Sequence, residues 1–159
     1  MAEKELRQDI DGYEVLTNAL TDLVNDFPLL DGETVRFNVL KDTGGIAFFP
    51  LSGAVIELER KDILGGVEQR CVYPFMLIYR GAGMNEKRRK TVKEWLDNFG
   101  RWLEGQTVDG NTLTEYPALT DNRKITEIRR TSPAYQMQIN ENGTEDWSIS
   151  ITARYRNFY

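Results

Sequence analysis

The segment "VEQRCVYPFMLIYR", residues 67–80, constrains the fold more than any other part of the chain. Its middle is apolar at consecutive positions, and a strand that is apolar on both faces is typical of the centre of a sheet. Strand alternation places one set of its side chains on a common face: Val67, Cys71, Tyr73, Phe75, Leu77 and Tyr79. Pro74 argues against a central position, because proline has no N–H to donate to a neighbouring strand. We therefore predict a central strand with a β-bulge at Pro74.

Other strands are predicted on both sides of this one. The segment "AVIELERKDI" precedes it, and the turn signature Leu64, Gly65 and Gly66 between them indicates a long β-hairpin. Shorter strand patterns lie at residues 35–40, 124–130 and 134–139. The ending "DWSISITARYRNFY" alternates apolar with polar residues, which predicts a last strand with one buried and one wet face.

Two segments have the periodicity of amphipathic helices. Apolar residues recur every three or four positions over residues 13–26, where Pro28 then ends the pattern. In "KRRKTVKEWLDNFGRWLEG", residues 87–105, a single stripe contains Val92, Trp95, Leu96, Phe99, Trp102 and Leu103. Asn85 is the predicted N-cap of this second helix. The expected fold class is α+β: a mainly antiparallel β-sheet with an N-terminal helix and a central helix packed on it.

Length and charge limit the number of domains and the choice of partners. A chain of 159 residues fits a single domain, and we expect residues 1–12 to be a charged N-terminal extension of a domain formed by residues 13–159. The net charge of −5 repels a phosphate backbone, so a nucleic-acid site would need a local basic patch. No apolar stretch is long enough for a membrane helix and the start is too charged for a signal peptide, so we expect a cytosolic protein without a membrane partner.

The residue types also limit the chemistry. The chain contains no histidine, so it lacks the commonest general base and zinc ligand. Its one cysteine, Cys71, lies in an apolar run and is expected to be a buried thiol. Phosphate-binding glycine motifs and EF-hand spacings do not occur. We therefore predict no catalytic residues, no cofactor and no metal site, and no enzymatic activity.

Four consecutive basic residues open the second helix: Lys87, Arg88, Arg89 and Lys90. On a helical wheel, Arg88 and Arg89 fall on or beside the apolar stripe, whereas Lys87 and Lys90 point elsewhere. Cations at a helix N-terminus oppose the helix dipole, so these side chains are either solvated or matched by an acidic protein partner. DNA binding is disfavoured because the rest of the polar face carries mixed charge. Reversing all four charges is expected to leave the fold intact and to weaken assembly.

Two further groups are candidates for a protein interface. Phe48 and Phe49 lie in "KDTGGIAFFPLSG", which favours a loop or a broken strand, and they either fold back on the core or form an exposed interface. Arg154 and Arg156 lie on the predicted wet face of the last strand. In an alternative interpretation, Phe48, Phe49 and Tyr79 line the pocket of a monomeric binding module.

The order of these elements and three packing patterns resemble a known family. The patterns are the "PFMLIYRG" strand, the "WLDNFGRWLE" helix and the ending from "AYQMQ" to "YRNFY". Over residues 13–159 the chain is similar to the tail terminator proteins, often labelled minor capsid proteins, of long-tailed bacteriophages and prophages of Gram-positive hosts. The resemblance has no catalytic motif.

The resemblance implies a structural virion protein. Such subunits form a homo-oligomeric ring, usually a hexamer, that caps the tail-tube protein, stops its elongation and joins the tail to the head connector or stopper protein. DNA would only pass through the lumen, and the protein would reside in the virion tail after assembly in the bacterial cytoplasm. The alternative within this class is another head-tail joining or tail-tube subunit.

Overall fold

Two long antiparallel strands form the middle of a mixed sheet in the computed structural model, which describes residues 7–159. In chain order the elements are α1 (Ile10–Asn25), β1 (Val35–Phe37), β2 (Gly45–Pro50), β3 (Val55–Lys61), β4 (Val67–Gly81), α2 (Glu86–Leu103), β5 (Arg123–Arg130), β6 (Tyr135–Ile139) and β7 (Glu145–Phe158). Within residues 7–159, the sheet has seven strands and the path β1-β2-β4-β7-β5. The predicted α+β class is confirmed, and so is the central position of the strand from residue 67.

The strand pairing shows how the other five described strands are arranged around β4 and β7. β4 and β7 are paired from Glu68↔Phe158 to Gly81↔Glu145. β2 and β3 share the other edge of β4, and β5 and β6 share the other edge of β7. Among the pairs described, β1 with β2 is parallel and the others are antiparallel. The sheet is therefore mainly antiparallel, as predicted.

Pro74 lies in the middle of β4 without a bulge, so the prediction of a bulge there is wrong. The β4–β7 register runs through Pro74↔Thr152 without a shift. On the other edge, β2 ends opposite Phe75 and β3 begins opposite Val72. The carbonyl of Pro74 accepts from Leu51 N on that edge at 3.0 Å, so the position of the absent N–H faces the gap between β2 and β3. A break in the neighbouring strands, not a bulge, accommodates the proline.

The sheet has two faces of different character. The core face carries fully buried side chains of β4 and β7, such as Tyr73, Phe75 and Ile149. The opposite face is called here the outer face. Its side chains are half-buried or exposed from Met76 back to Glu68 in β4 and from Ser150 on to Phe158 in β7. Ser148 also lies on the outer face, near the start of β7, and it is buried. The predicted wet face of β7 is therefore wet only in part.

Helix contacts are made with residues of the core face. The Thr17 hydroxyl of α1 lies 2.7 Å from the Tyr73 hydroxyl. Gly100 of α2 lies so close to Ile149 that an added Cβ would be 3.0 Å from its Cδ1 atom. The same Cβ would lie even closer to Cδ of Arg130 in β5, so a larger residue at position 100 would force the Arg130 side chain or α2 to move.

Predictions for α2 agree closely with the structure. Asn85 is the N-cap, and its side chain accepts from Arg88 N at 2.9 Å. Five members of the predicted stripe are buried, and Trp95 is half-buried.

The predicted N-terminal extension, residues 1–12, is only partly described. Residues 1–6 lie outside the described residues. Of residues 7–12, Gln8 forms an isolated antiparallel β-bridge with Val55, and Asp9 is the N-cap of α1. Residues 7–12 are therefore part of the domain and not an extension, because Asp9 starts the helix and its backbone N–H donates to Ala54 O at 2.9 Å.

Candidate functional site

The basic residues at the start of α2 differ in their surroundings. Lys87 and Lys90 are exposed, and Lys90 lies 3.4 Å from Glu86 one turn earlier. Arg88 donates to the Tyr79 hydroxyl at 3.4 Å. These contacts leave the positive charge of Lys87 and Arg88 on the surface.

Arg89 has a structural partner that sequence reasoning missed. Its Nε and Nη2 atoms donate to the two carboxylate oxygens of Glu145 at 3.0 and 2.8 Å. The Glu145 side chain is only 4% exposed, so its charge depends on this partner. The hydrogen bonds from Arg89, with smaller contributions from Gln136, hold the pKa of Glu145 below its ordinary value. Arg89 is thus already paired within its own chain.

This pair corrects the expectation that reversing all four charges leaves the fold intact. Arg89→Glu would place two carboxylates together at a buried site, so we expect the melting temperature to fall by about 5 °C or more. Lys87→Glu, at an exposed site, should change it by less than about 2 °C. Thermal unfolding followed by circular dichroism measures both values. Equal melting temperatures for the two variants would show that Glu145 does not need Arg89.

A second buried carboxylate stabilises the same end of the sheet. Asp146 accepts from Arg80 Nε and Nη2 at 2.7 and 3.0 Å and from Gln138 at 2.8 Å. Burial raises the pKa of Asp146, but the hydrogen bonds from Arg80, Gln138 and Asn140 outweigh it and leave the pKa lowered. These side chains satisfy one another's hydrogen bonds, so we infer that they stabilise the fold.

Phe48 and Phe49 are separated by the alternation of β2. Phe48 is 0% exposed and stacks on Phe75 with ring centroids 4.6 Å apart. It is therefore a core residue and has no surface to offer to an interface or a pocket. Phe49 is half-buried and pairs with Met76 on the outer face.

Arg154 and Arg156 lie on the outer face, as the alternation predicts. Arg154 donates to Glu57 at 2.7 Å, and Arg156 lies 3.5 Å from Glu68. Directly opposed residues of neighbouring strands share a face, so β4 and β5 bring further charges to this area. The cations of this basic surface are Arg70, Lys124, Arg129, Arg154 and Arg156, and the carboxylates among them are Glu57, Glu68 and Glu127. With five cations and three carboxylates in this set, the surface is net positive.

The exposed face of α1 has the opposite charge. Asp11, Glu14 and Asp22 are exposed on the helix, and Asp26 follows as its C-cap. The ion pairs formed within residues 7–159 use other carboxylates. The sequence contains a signal for this acidic surface, because residues 10–26 include no lysine or arginine.

A groove lies beside α2 and the loop that follows α1. Its volume is about 550 Å³, and its apolar lining consists of Leu29, Leu30, Tyr79, Val92 and Trp95. The indole N–H of Trp95 donates to Leu29 O at 2.8 Å and fixes one wall to the other. Charged residues of both signs also line the groove: Lys87, Arg88, Asp31 and Glu33. Tyr79 therefore lines a pocket, as the alternative interpretation predicted, but Phe48 and Phe49 do not.

Residues 7–159 contain no group of three or more histidine, cysteine, aspartate or glutamate side chains that could hold a metal ion.

Two comparisons with known proteins, against family models and against curated sequences, found no significant match. Neither helix of the described part of the chain is long and apolar enough to cross a membrane.

Proposed function

We propose that this protein is a structural subunit that assembles head to tail into a closed ring, and that the ring acts as a phage tail terminator. The observation that carries the proposal is the opposite charge of two separate surfaces on one chain, the acidic surface of α1 and the basic surface of the outer face. A chain with two complementary but different surfaces makes heterologous contacts, which form rings when the rotation closes.

The arrangement of the layers supports this contact. We propose, as predicted from the sequence, that both helices are packed on the core face. The contacts of Thr17 with Tyr73 and of Gly100 with Ile149 support that arrangement. The acidic surface of α1 then points away from the sheet on one side, and the basic surface points away on the other. Two such subunits placed in succession attract each other, whereas contact between two copies of the same surface is repulsive.

The terminator role is the family expectation applied to such a ring. The ring, usually of six subunits, would cap the tail-tube protein, stop its elongation and join it to the head connector in the virion tail. The net charge of −5 suits a lumen through which DNA passes without binding. Another head-tail joining or tail-tube subunit would use the same kind of contact. Binding assays with the purified tail-tube protein and the purified head connector distinguish these roles.

The groove beside Trp95 favours a second candidate, a monomeric binding module for a small ligand or a regulatory partner. Its volume of about 550 Å³ lies in the range of ligand pockets. This candidate requires a chain that stays monomeric at high concentration, so it and the ring make opposite predictions.

Charge reversal tests the contact directly. One variant carries Arg154→Glu and Arg156→Glu, and a second carries Asp22→Lys and Asp26→Lys. The first variant presents two negative surfaces and the second makes the surface of α1 neutral, so association of each variant alone should weaken at least about tenfold, as measured by sedimentation velocity. An equimolar mixture should assemble better than either variant alone, because at alternate contacts of an even-numbered ring the intact basic surface of the second variant meets the intact acidic surface of the first.

The control reverses two exposed carboxylates outside both surfaces, Glu115→Lys and Asp121→Lys. This variant changes the net charge as much as the second one does, and it should assemble like the unmodified protein. Association of either charge-reversed variant alone at the normal strength, or failure of the mixture to assemble, contradicts the proposal.

A further inference from the structure

β5 and β6 lie along the same edge of β7, but they are attached to the protein in different ways. β5 contributes Ile125 and Ile128 to the core, where these side chains are 4% and 1% exposed. All five residues of β6 are exposed, and none of the five belongs to the hydrophobic core. A segment with few buried apolar contacts opens at a lower free energy than its surroundings. β6 therefore lacks the interaction that holds β5 in place.

The backbone pairing of β6 is short and irregular. It runs along β7 from Tyr135↔Ser148 to Ile139↔Glu145, and its register shifts between Gln136 and Gln138. Such an irregularity leaves a residue unpaired and weakens the ladder locally. Backbone hydrogen bonds to β7 thus give β6 only a limited hold, so its side chains have a large share in keeping it in place.

Side-chain amides attach β6 to two buried carboxylates at the start of β7. Gln136 donates to Glu145 at 2.6 Å, and Gln138 donates to Asp146 at 2.8 Å. Asn140, directly after β6, donates to Asp146 at 3.1 Å. Hydrogen bonds to an ionised acceptor are stronger than those between neutral groups. These amide–carboxylate bonds take the place that buried apolar side chains have in β5.

Both ends of β6 are fixed independently of these bonds. Before the strand, Ala134 is 1% exposed, and its N–H donates to Asp97 of α2 at 2.8 Å. After the strand, Asn140 N donates to Thr144 O at 2.8 Å and closes the turn into β7. A five-residue segment held at both ends can separate from β7 while β5 and β7 stay paired.

We propose that β6 is a strap that opens separately from the rest of the sheet, and that the charges of Glu145 and Asp146 keep it closed. Acid conditions, which remove these charges, release the strap. Opening uncovers the part of β7 that pairs with β6, including Trp147 and Ser148, and so exposes backbone groups that the closed sheet covers. The inference concerns a single chain and does not rest on the proposed ring.

The groups around the two carboxylates set the direction of the pH dependence. Each carboxylate faces one arginine, and one further acid lies near each arginine: Arg89 and Glu86 at Glu145, and Arg80 and Asp42 at Asp146. Hydrogen bonds from Arg89 and Gln136 lower the pKa of Glu145. Burial raises the pKa of Asp146, but the hydrogen bonds from Arg80 and Gln138 outweigh it, so this pKa is lowered as well.

The sign of the effect follows from these lowered values. Opening removes the amide hydrogen bonds, so the pKa of each carboxyl group is higher in the open state than in the closed state. The contribution of the charges is complete at neutral pH, above the pKa values of the open state. It is lost as the pH falls through the lower values of the closed state.

Amide hydrogen exchange of the unmodified protein tests the strap. We compare only amide groups that donate to the backbone of β7, and at pH 7 those of β6 should be at least about tenfold less protected than those of β5. Protection of β6, corrected for the intrinsic pH dependence of exchange, should fall further between about pH 5 and pH 3. Equal protection of β5 and β6 at pH 7 would overturn the proposal, because β6 would then open only together with its neighbour.

A variant tests the role of the two carboxylates. Gln136→Ala with Gln138→Ala, at exposed positions, should fold normally and raise the opening constant of β6 at least about tenfold at pH 7. Opening of β6 in this variant should also depend less on pH than in the unmodified protein. Met137→Ala, in the same strand and 40% exposed, is the control and should change opening by less than about threefold. Equal effects of the two variants, or an unchanged pH dependence, would show that the carboxylates do not hold the strap.

Discussion

Replacement of Phe48 by alanine is expected to lower the free energy of unfolding by about 3–5 kcal/mol. Phe48 is 0% exposed and lies against Phe75 on one side and Phe37 on the other, with centroids 4.6 and 6.2 Å apart. Truncation removes the transfer free energy of a phenyl ring and leaves a cavity that the central strands cannot close. Urea unfolding followed by tryptophan fluorescence measures the change.

The neighbouring phenylalanine is the matched control for this prediction. Phe49 is half-buried on the outer face, so Phe49→Ala should cost clearly less, about 1 kcal/mol. If the two variants were equally stable, or if Phe48→Ala affected assembly but not folding, then the assignment of Phe48 to the core would be contradicted.

Asp9→Asn is expected to cost a similar amount, about 3–5 kcal/mol, because it removes one partner of a buried ion pair. Arg123 donates to both carboxylate oxygens of Asp9 at 2.8 and 3.1 Å, and the Tyr155 hydroxyl donates to one of them at 2.7 Å. The Arg123 side chain is 11% exposed, so its charge would be left without a partner. Asparagine can still accept the N-cap hydrogen bond from Gly12, and the loss of the charge is therefore the main change.

A double variant and the pH dependence test this account. Asp9→Asn with Arg123→Met removes both charges and should be more stable than Asp9→Asn alone. Burial raises the pKa of Asp9, but the hydrogen bonds from Arg123, Tyr155 and Gly12 outweigh it and the pKa is lowered. In the unfolded chain the pKa of Asp9 is about 4, so the ionised carboxylate contributes its full stability above that pH. This contribution is lost as the pH falls through the lower pKa of the folded state.

The matching measurement is the free energy of unfolding between about pH 5 and pH 2. The unmodified protein should lose more stability over this range than Asp9→Asn does, because only the unmodified protein has the Asp9 carboxylate to protonate. Parallel pH profiles would contradict the role given to Asp9.

Local patterns predicted the elements of the fold well where one interaction decides the structure. The stripe from Val92 to Leu103 identified α2, and Asn85 marked its first turn. The apolar run around Phe75 placed β4 at the centre of the sheet. In these segments the periodicity of the side chains and the burial of the apolar face agree, so sequence reasoning alone was sufficient.

Long-range partners explain the predictions that were incomplete. The sequence places Asp9 in a charged extension, because its partner Arg123 is far away in the chain. It indicates a surface cation at Arg89, because nothing near Arg89 in the chain points to Glu145. The tolerance of Pro74 depends on where β2 ends and β3 begins. None of these contacts has a periodicity, so they could not be read from a single sequence.

Two surface features, the acidic surface of α1 and the groove beside Trp95, are not among the predictions from the sequence. The acidic surface of α1 had a visible signal in the absence of lysine and arginine from residues 10–26. The groove had none, because it forms where the loop containing Leu29 meets Trp95 of α2. A cavity between distant segments depends on their packing and is visible only in three dimensions.

The most direct test of the ring is the mass of the unmodified protein in solution. Light scattering at rising protein concentration, with negative-stain images of the largest species, measures both the stoichiometry and the shape. The account predicts a closed ring with a central hole, formed from six copies, which dissociates as salt weakens the charged contact. A chain that remains monomeric at every concentration up to the millimolar range would contradict the head-to-tail assembly and favour the binding module.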